Sequence, residues 1–214
     1  MAKPISGLYA ITLETPNTLL LLRDVEAALR GGVSVVQYRA KRGAPALKAA
    51  QGDALAALCK KYDVPLIIND DVALAAGMAA DGVHIGSQDM PCQEARQSLR
   101  SGMLIGVSCY DQLDLAIAAQ QAGADYVAFG SFFPSSIKPN AVRPSLDFLR
   151  DARQKIRIPI VAIGGITLEN ATSLIDAGAD AVAVLSALFE AADIEATARS
   201  FSNLFLHRKH HVFS

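Results

Sequence analysis

Apolar residues in this chain gather in short unbroken runs. The runs are Leu8–Thr12, Val33–Arg39, Pro65–Asn69, Gly82–Ile85, Leu104–Ser108, Tyr126–Phe129, Ile160–Ile163 and Ala181–Leu185. Successive apolar positions, without polar alternation, suit strands covered on both faces, as in a parallel sheet packed between helices. Between the runs, Ala and Leu recur at helical spacing, for example over Leu19–Leu29, Ala46–Lys60, Asp111–Ala122 and Leu168–Ala177. Gly31, Gly123 and Gly178 fall just past helix ends, where a left-handed cap favours a residue without a β-carbon. A helix-end unit repeats: Ala122–Asp125 leads into Tyr126–Val127 and Ala177–Asp180 into Ala181–Val182, with looser echoes at Ala80–Val83 and Gly31–Val35. Eight strand–helix units in 214 residues predict a closed (β/α)8 TIM barrel, a single domain over residues 1–214. An open doubly wound sheet is the rival; the count of units and the polar residues at every strand end favour the barrel. The stretch 207–214 is expected to be a basic, frayed tail.

Composition narrows the partners. With 51% hydrophobic and 19% charged residues and a formal net charge of -1, the chain is neither disordered nor basic enough for nucleic acid or a membrane surface to be its main partner. Cys59, Cys92 and Cys109 lack metal-type spacing and read as reduced thiols of a cytoplasmic protein. Residues 1–9 carry Lys3 and Pro4 and no long apolar run, so no secretory signal is read there, and no stretch of about 20 apolar residues calls for a membrane span.

In a parallel barrel the active site is built at the carboxyl ends of the strands. After the second strand come Gln37 and Arg39, two apart and so on one face, with Lys41 above them. Two cations at a barrel mouth suit a phosphate or diphosphate, although surface ion pairs are the plainer reading. Asn69–Asp70–Asp71 follows the third strand, where one carboxylate could cap a helix and the other bind Mg2+. Asp89 places a second acidic group on the same rim, and His84, inside its strand, reads equally as a hydrogen-bonded core histidine or a catalytic one. Ser108 after the fifth strand is a hydroxyl donor rather than a nucleophile, and Cys109 beside it implies no thiol chemistry. Gly130–Pro139 is a long loop offering Ser135, Ser136 and Lys138. Gly164–Gly165 after the seventh strand and Leu185–Ser186 after the eighth mark a phosphate cradle of backbone amides. Two anion sites, one cationic with Mg2+ and one neutral, point to a transferase that joins two phosphorylated small molecules.

The motifs in order are Val36–Lys41, Ile68–Asp71, Asp81–Gly86 with Asp89, Gly106–Cys109, Phe133–Pro139, Ala162–Ile166 and Val184–Ala187. Together they resemble the thiamine-phosphate synthase family from Leu8 to Ala187. That resemblance implies displacement of diphosphate from a hydroxymethylpyrimidine diphosphate by the ring nitrogen of a hydroxyethylthiazole phosphate. It implies Mg2+ on Asp70 and Asp89. It implies a diphosphate grip by Arg39, Lys41, Asn69, Ser108 and Lys138, of which Arg39, Lys41, Ser108 and Lys138 would be catalytic. Gln37, Tyr38 and Ala40 would complete the pyrimidine-side motif. Ser135, Ser136 and Ile137 would line the thiazole, and Gly165, Leu185 and Ser186 would hold its phosphate. Three positions depart from the family pattern: Ile137 replaces a usual hydroxyl residue, Ser87 a usual Gln and Tyr110 a frequent His. Two rivals remain on sequence grounds: a thiazole tautomerase, which calls for a His near the fifth strand, and a non-catalytic phosphate-sensing barrel, marked by an apolar patch such as Phe201, Leu204 and Phe205 could form. The oligomeric state is not legible in the sequence.

Overall fold

The structure, a computed structural model, describes residues 5–134 and 142–206. Eight strands occupy Gly7–Ile11 (β1), Val35–Tyr38 (β2), Leu66–Asn69 (β3), Gly82–Ile85 (β4), Leu104–Tyr110 (β5), Tyr126–Phe129 (β6), Ile160–Ile163 (β7) and Ala181–Val184 (β8). They pair in parallel, each with the next, and β8 closes on β1. The helices are Thr18–Arg30 (α1), Pro45–Lys61 (α2), Val72–Gly77 (α3), Cys92–Ser98 (α4), Leu113–Gln121 (α5), Leu146–Lys155 (α6), Leu168–Asp176 (α7), Ser186–Phe189 (α8) and Ile194–Leu206 (α9). The single-domain (β/α)8 barrel expected from the apolar runs is what forms. The tail at 207–214 lies outside the described residues.

Strand parity divides the core in two. Leu8, Ala10, Val36, Tyr38, Ile68, Val83, Ile85, Val107, Cys109, Val127 and Phe129 point outward into the layer shared with the helices. Tyr9, Ile11, Val35, Ile67, Leu104, Tyr126, Ala128, Val161, Ala181 and Ala183 fill the barrel. Because side chains alternate along a strand, Gln37, Asn69, His84 and Ser108 share the inward parity at the carboxyl end. Phe201 is fully buried, and Leu204 and Phe205 pack against the outer layer, so these three residues belong to the core rather than to a free apolar patch.

The repeated helix-end unit has a mechanical reason. Asp81, Asp125 and Asp180 each precede an even strand. Each accepts a hydrogen bond from an amide at the start of the odd strand before it: Leu66 at 2.8 Å, Ile105 at 2.7 Å and Ile160 at 2.8 Å. Arg96 of α4 and Arg153 of α6 pair with Asp125 and Asp180. These clamps stitch the amino pole of the barrel, opposite the strand ends of interest.

One glycine expectation is corrected. Gly123 and Gly178 take the left-handed conformation, but at the end of α1 it is Gly32, with φ 98°, that does so; Gly31 is right-handed at φ -77°. Gly31 is small for another reason: a β-carbon there would lie 2.4 Å from the Glu195 carbonyl and 2.5 Å from Ala198 Cβ, where α9 crosses.

Candidate active site

A cleft of about 790 Å³ opens at the carboxyl ends of the strands. Its floor is apolar, made by Ile11, Ala128, Ile163, Ala183 and Leu185, and its rim is polar. A recess of about 480 Å³ beside it shares Lys41, Asn69 and Asp70 and adds Ala40 and Lys48.

The charged rim spans β2 to β5. Beyond β2 the chain is tied to β1, because the buried Thr12 hydroxyl accepts from the Arg39 amide at 3.0 Å and the Thr12 amide donates to the Gln37 carbonyl at 2.9 Å. Gln37, Arg39 and Lys41 all line the cleft. Tyr38 does not: by parity its ring turns outward, and its hydroxyl donates to Gln51 of α2 at 2.7 Å. Burial pushes that phenol up to about 12. The Tyr38 side chain therefore supports α2, and Ala40 borders the smaller recess.

At the end of β3 three polar residues divide the work. Asn69 points inward as the last residue of the strand. Asp71 caps α3, accepting from the Leu74 amide at 2.9 Å. Asp70 between them takes a left-handed φ of 64°, a conformation that Asp tolerates better than most side chains. Its amide donates to the His84 carbonyl at 2.8 Å, and its carboxylate meets Lys41 Nζ at 3.1 Å. The helix-capping role expected within the aspartate pair is thus filled by Asp71, and Asp70 faces the cleft.

After β4 the turn Gly86–Asp89 closes on itself, with the Gly86 amide donating to Asp89 Oδ2 at 2.7 Å. Burial, and next the facing Asp70 carboxylate, hold the Asp89 carboxyl above its ordinary range against that stabilising amide bond. Two carboxylates that crowd one another on a rim with cations and hydroxyls offer the hard oxygen donors a divalent cation takes. Mg2+ commonly uses one or two carboxylates and fills its remaining positions with phosphate oxygens and water. Among the described residues no group of three or more His, Cys, Asp or Glu is gathered into a metal cage. Asp70 and Asp89, one rim carboxylate from each of two neighbouring strand ends, fit the donor count for an ion completed by phosphate and water.

Ser108 projects into the cleft from β5, and its Oγ meets His84 Nε2 at 2.8 Å. His84 is enclosed, and burial lowers its imidazole to about 4. It is a satisfied core histidine whose far edge touches the site. The β5–β6 register shifts between Ser108 and Tyr110, and Tyr110 takes a φ of 54°. The Tyr110 hydroxyl then meets Ser87 Oγ at 3.1 Å. The two departures at 87 and 110 are partners, joining the β4 and β5 loops beside Asp89. Cys109, of opposite parity, is buried in the outer layer with its thiol pushed up to about 12, away from the chemistry.

The neutral cradle lies across the barrel. β7 and β8 are four strands from β3 and β4, so their loops face the charged rim. Gly164 and Gly165 have φ of 102° and 63°. A β-carbon at Gly165 would lie 2.3 Å from the Pro134 carbonyl, because the segment leaving β6 runs over this turn, donating from the Phe132 and Phe133 amides to the Ile163 and Gly164 carbonyls. Leu185 and Ser186 line the same side, and α8 starts at Ser186 with no side chain capping its first-turn amides. Ser135, Ser136, Ile137 and Lys138 lie outside the described residues. Sequence reasoning missed Thr12, Tyr9 and Tyr126. For the tyrosines the available signal was a phenol at inward parity in an apolar strand, which needs a partner for its hydroxyl.

Comparison with known proteins gives the family. Residues 8–188 match the family described as Thiamine monophosphate synthase. The thiamine-phosphate synthase of Thiobacillus denitrificans is 56% identical over 199 residues, covering 93% of this chain and 94% of that protein. That of Nitrosospira multiformis is 51% identical over 209 residues, covering 98% and 89%. The solved thiamine phosphate pyrophosphorylase of Pyrococcus furiosus superposes with a TM-score of 0.84 at 32% identity, covering 94% of this chain and 96% of that one. With a closed barrel, the motifs at its strand ends and relatives at this level of identity, the chain belongs to the thiamine monophosphate synthase family.

Proposed function

We propose that this chain is a transferase that makes thiamine phosphate from hydroxymethylpyrimidine diphosphate and hydroxyethylthiazole phosphate, releasing diphosphate. The observation that carries the reading is the division of one cleft into a charged rim (Arg39, Lys41, Asp70, Asp89, Ser108) and an opposing glycine cradle (Gly164, Gly165, Ser186). One substrate brings a diphosphate and the other a monophosphate, and the two ends differ in the way the two anions do.

Asp70 and Asp89 would hold Mg2+, which when bound supplies positive charge to the leaving diphosphate oxygens. Arg39 and Lys41 stabilise the same developing charge from the β2 side, and Ser108 donates to it from β5. Lys138, by its place in the loop motif, is proposed as a further cation there. Gln37 contacts the pyrimidine. The apolar floor of Ile11, Ala128, Ile163 and Ala183 excludes water while the pyrimidine methylene carries positive charge after its C–O bond breaks. The thiazole nitrogen, positioned by its phosphate on Gly165 and the opening amides of α8, then forms the C–N bond with that carbon. Orientation and electrostatics suffice, since the nucleophile belongs to the substrate. We further propose a cytoplasmic location, in keeping with the small phosphorylated substrates; among the described residues no helix is long and apolar enough to cross a membrane.

Incubation of the purified chain with both substrates tests the reading. Thiamine phosphate and diphosphate should appear in equal amounts with Mg2+ and stop on chelation. A change confined to the thiazole, with no coupled product, would favour the tautomerase instead.

A further inference from the structure

The barrel interior is not uniformly apolar. Five polar side chains from five strands form one continuous chain across it. Gln37 Nε2 donates to the Tyr9 hydroxyl at 2.9 Å, and the Tyr9 and Tyr126 hydroxyls meet at 2.8 Å. The Tyr126 hydroxyl meets His84 Nδ1 at 3.1 Å, and His84 Nε2 meets Ser108 Oγ at 2.8 Å. Tyr9 and Tyr126 are essentially inaccessible, and no buried side-chain polar atom among the described residues lacks a partner. The packing is built for this contact. A β-carbon at Gly106 would lie 2.0 Å from Tyr126 Cζ, so only glycine on β5 leaves space for the phenol, and the His84 ring lies over Tyr126 with centroids 5.6 Å apart.

Such a chain has only two consistent proton orders, because each hydroxyl has one proton to give and each neutral imidazole has one N–H. With the Gln37 amide donating to Tyr9, Tyr9 donates to Tyr126 and Tyr126 to His84 Nδ1. His84 then carries its proton on Nε2 and donates to Ser108, whose own proton is left to point into the cleft. In the reverse order, which requires the Gln37 amide turned so that its carbonyl accepts from Tyr9, Ser108 gives its proton to His84 and has none for an anion. An anionic ligand on the charged rim favours the first order. We propose that Tyr9, Tyr126 and His84 are positioning residues that fix Ser108 as a hydrogen-bond donor to the diphosphate. The inference deepens the proposed function and rests on its diphosphate site.

The test separates the two. His207, His210 and His211 are replaced by Gln, leaving His84 as the one imidazole signal in long-range 1H–15N spectra of the substrate-free protein. The expected wild-type spectrum has a bare Nδ1 and a protonated Nε2. Tyr126→Phe keeps the ring and removes the proton supplied to Nδ1, so the spectrum should become a mixture of tautomers. With inorganic diphosphate and Mg2+ as the probe, Tyr126→Phe should bind about tenfold more weakly, the effect of one hydrogen bond. In a Ser108→Ala background the same change should do nothing further. A thermal midpoint for Tyr126→Phe within a few degrees of wild type establishes that the variant is folded. A proton on Nδ1 in the wild type overturns the proposal, as does an undiminished Tyr126→Phe penalty in the Ser108→Ala background. Failure of the proposed reaction is read separately, because neither the spectrum nor inorganic diphosphate binding requires turnover.

Discussion

His84 shows how strongly one position can couple stability to pH. Its ring is buried between Tyr126 and Ser108, and its pKa is lowered from 6.5 to about 4. Above about 6.5 the ring is neutral in both folded and unfolded chains and adds no pH dependence. As pH falls from about 6.5 toward about 4, the unfolded chain binds the proton and the folded one does not, so stability drops by something on the order of 3 kcal/mol. Urea unfolding in a chelating buffer should show this decline, and His84→Asn should flatten it within that window. An equal slope in both proteins would remove the assigned cause. Parity explains which single residues were legible. Gln37, Arg39, Asn69 and Ser108 announce themselves by polarity at a strand end, whereas Tyr38 was expected at the cleft because it shares their motif, and alternation turns its side chain away. Tyr9 and Tyr126 are amphipathic residues inside apolar runs, so nothing local in the sequence shows that their hydroxyls meet across the barrel.

Elements form here because local sequence and distant partners agree. The eight runs were legible because a strand buried on both faces must be apolar throughout. Their ends were less so: the second run starts at Val33, but β2 begins at Val35 because Gly32 and Ser34 still belong to the turn, with the Ser34 amide already bonded to Leu8. β5 extends past Ser108 to Tyr110 through a register shift that no periodicity reveals. The aspartate repeat was visible as a pattern, but its role as an amide clamp requires the barrel to be closed. Asp180→Ala removes the acceptor of the Ile160 amide and the partner of Arg153; since the pair is partly exposed, the cost is set mainly by the amide, about 1–3 kcal/mol. Because the clamp is at the amino pole, kcat should be unchanged when measured well below the melting temperature. A tenfold loss of kcat there would contradict that separation. At the other pole, Gly165→Ala combines a left-handed φ of 63° with a clash against the Pro134 carbonyl. The turn must shift, at a cost on the order of 1–2 kcal/mol. The KM for the thiazole phosphate should rise about tenfold, matching that cost, while affinity for the diphosphate substrate stays near wild type. Equal damage to both substrates would mean the cradle does not serve one of them alone.

For the whole molecule, closure is what turns scattered residues into a site. Strands β2 to β5 bring cations, carboxylates and a hydroxyl to one arc of the mouth, and β7 and β8 bring a neutral glycine turn to the arc opposite. An open sheet would spread these groups along an edge. The most direct measurement is calorimetric titration of hydroxymethylpyrimidine diphosphate into the wild-type chain and Asp70→Ala, with Mg2+ and with chelator. Binding should require Mg2+ in the wild type and fall at least tenfold in Asp70→Ala, because in the proposed function Asp70 and Asp89 would hold the ion that the diphosphate needs. Equally tight binding by both proteins in chelator would contradict the assignment of that rim.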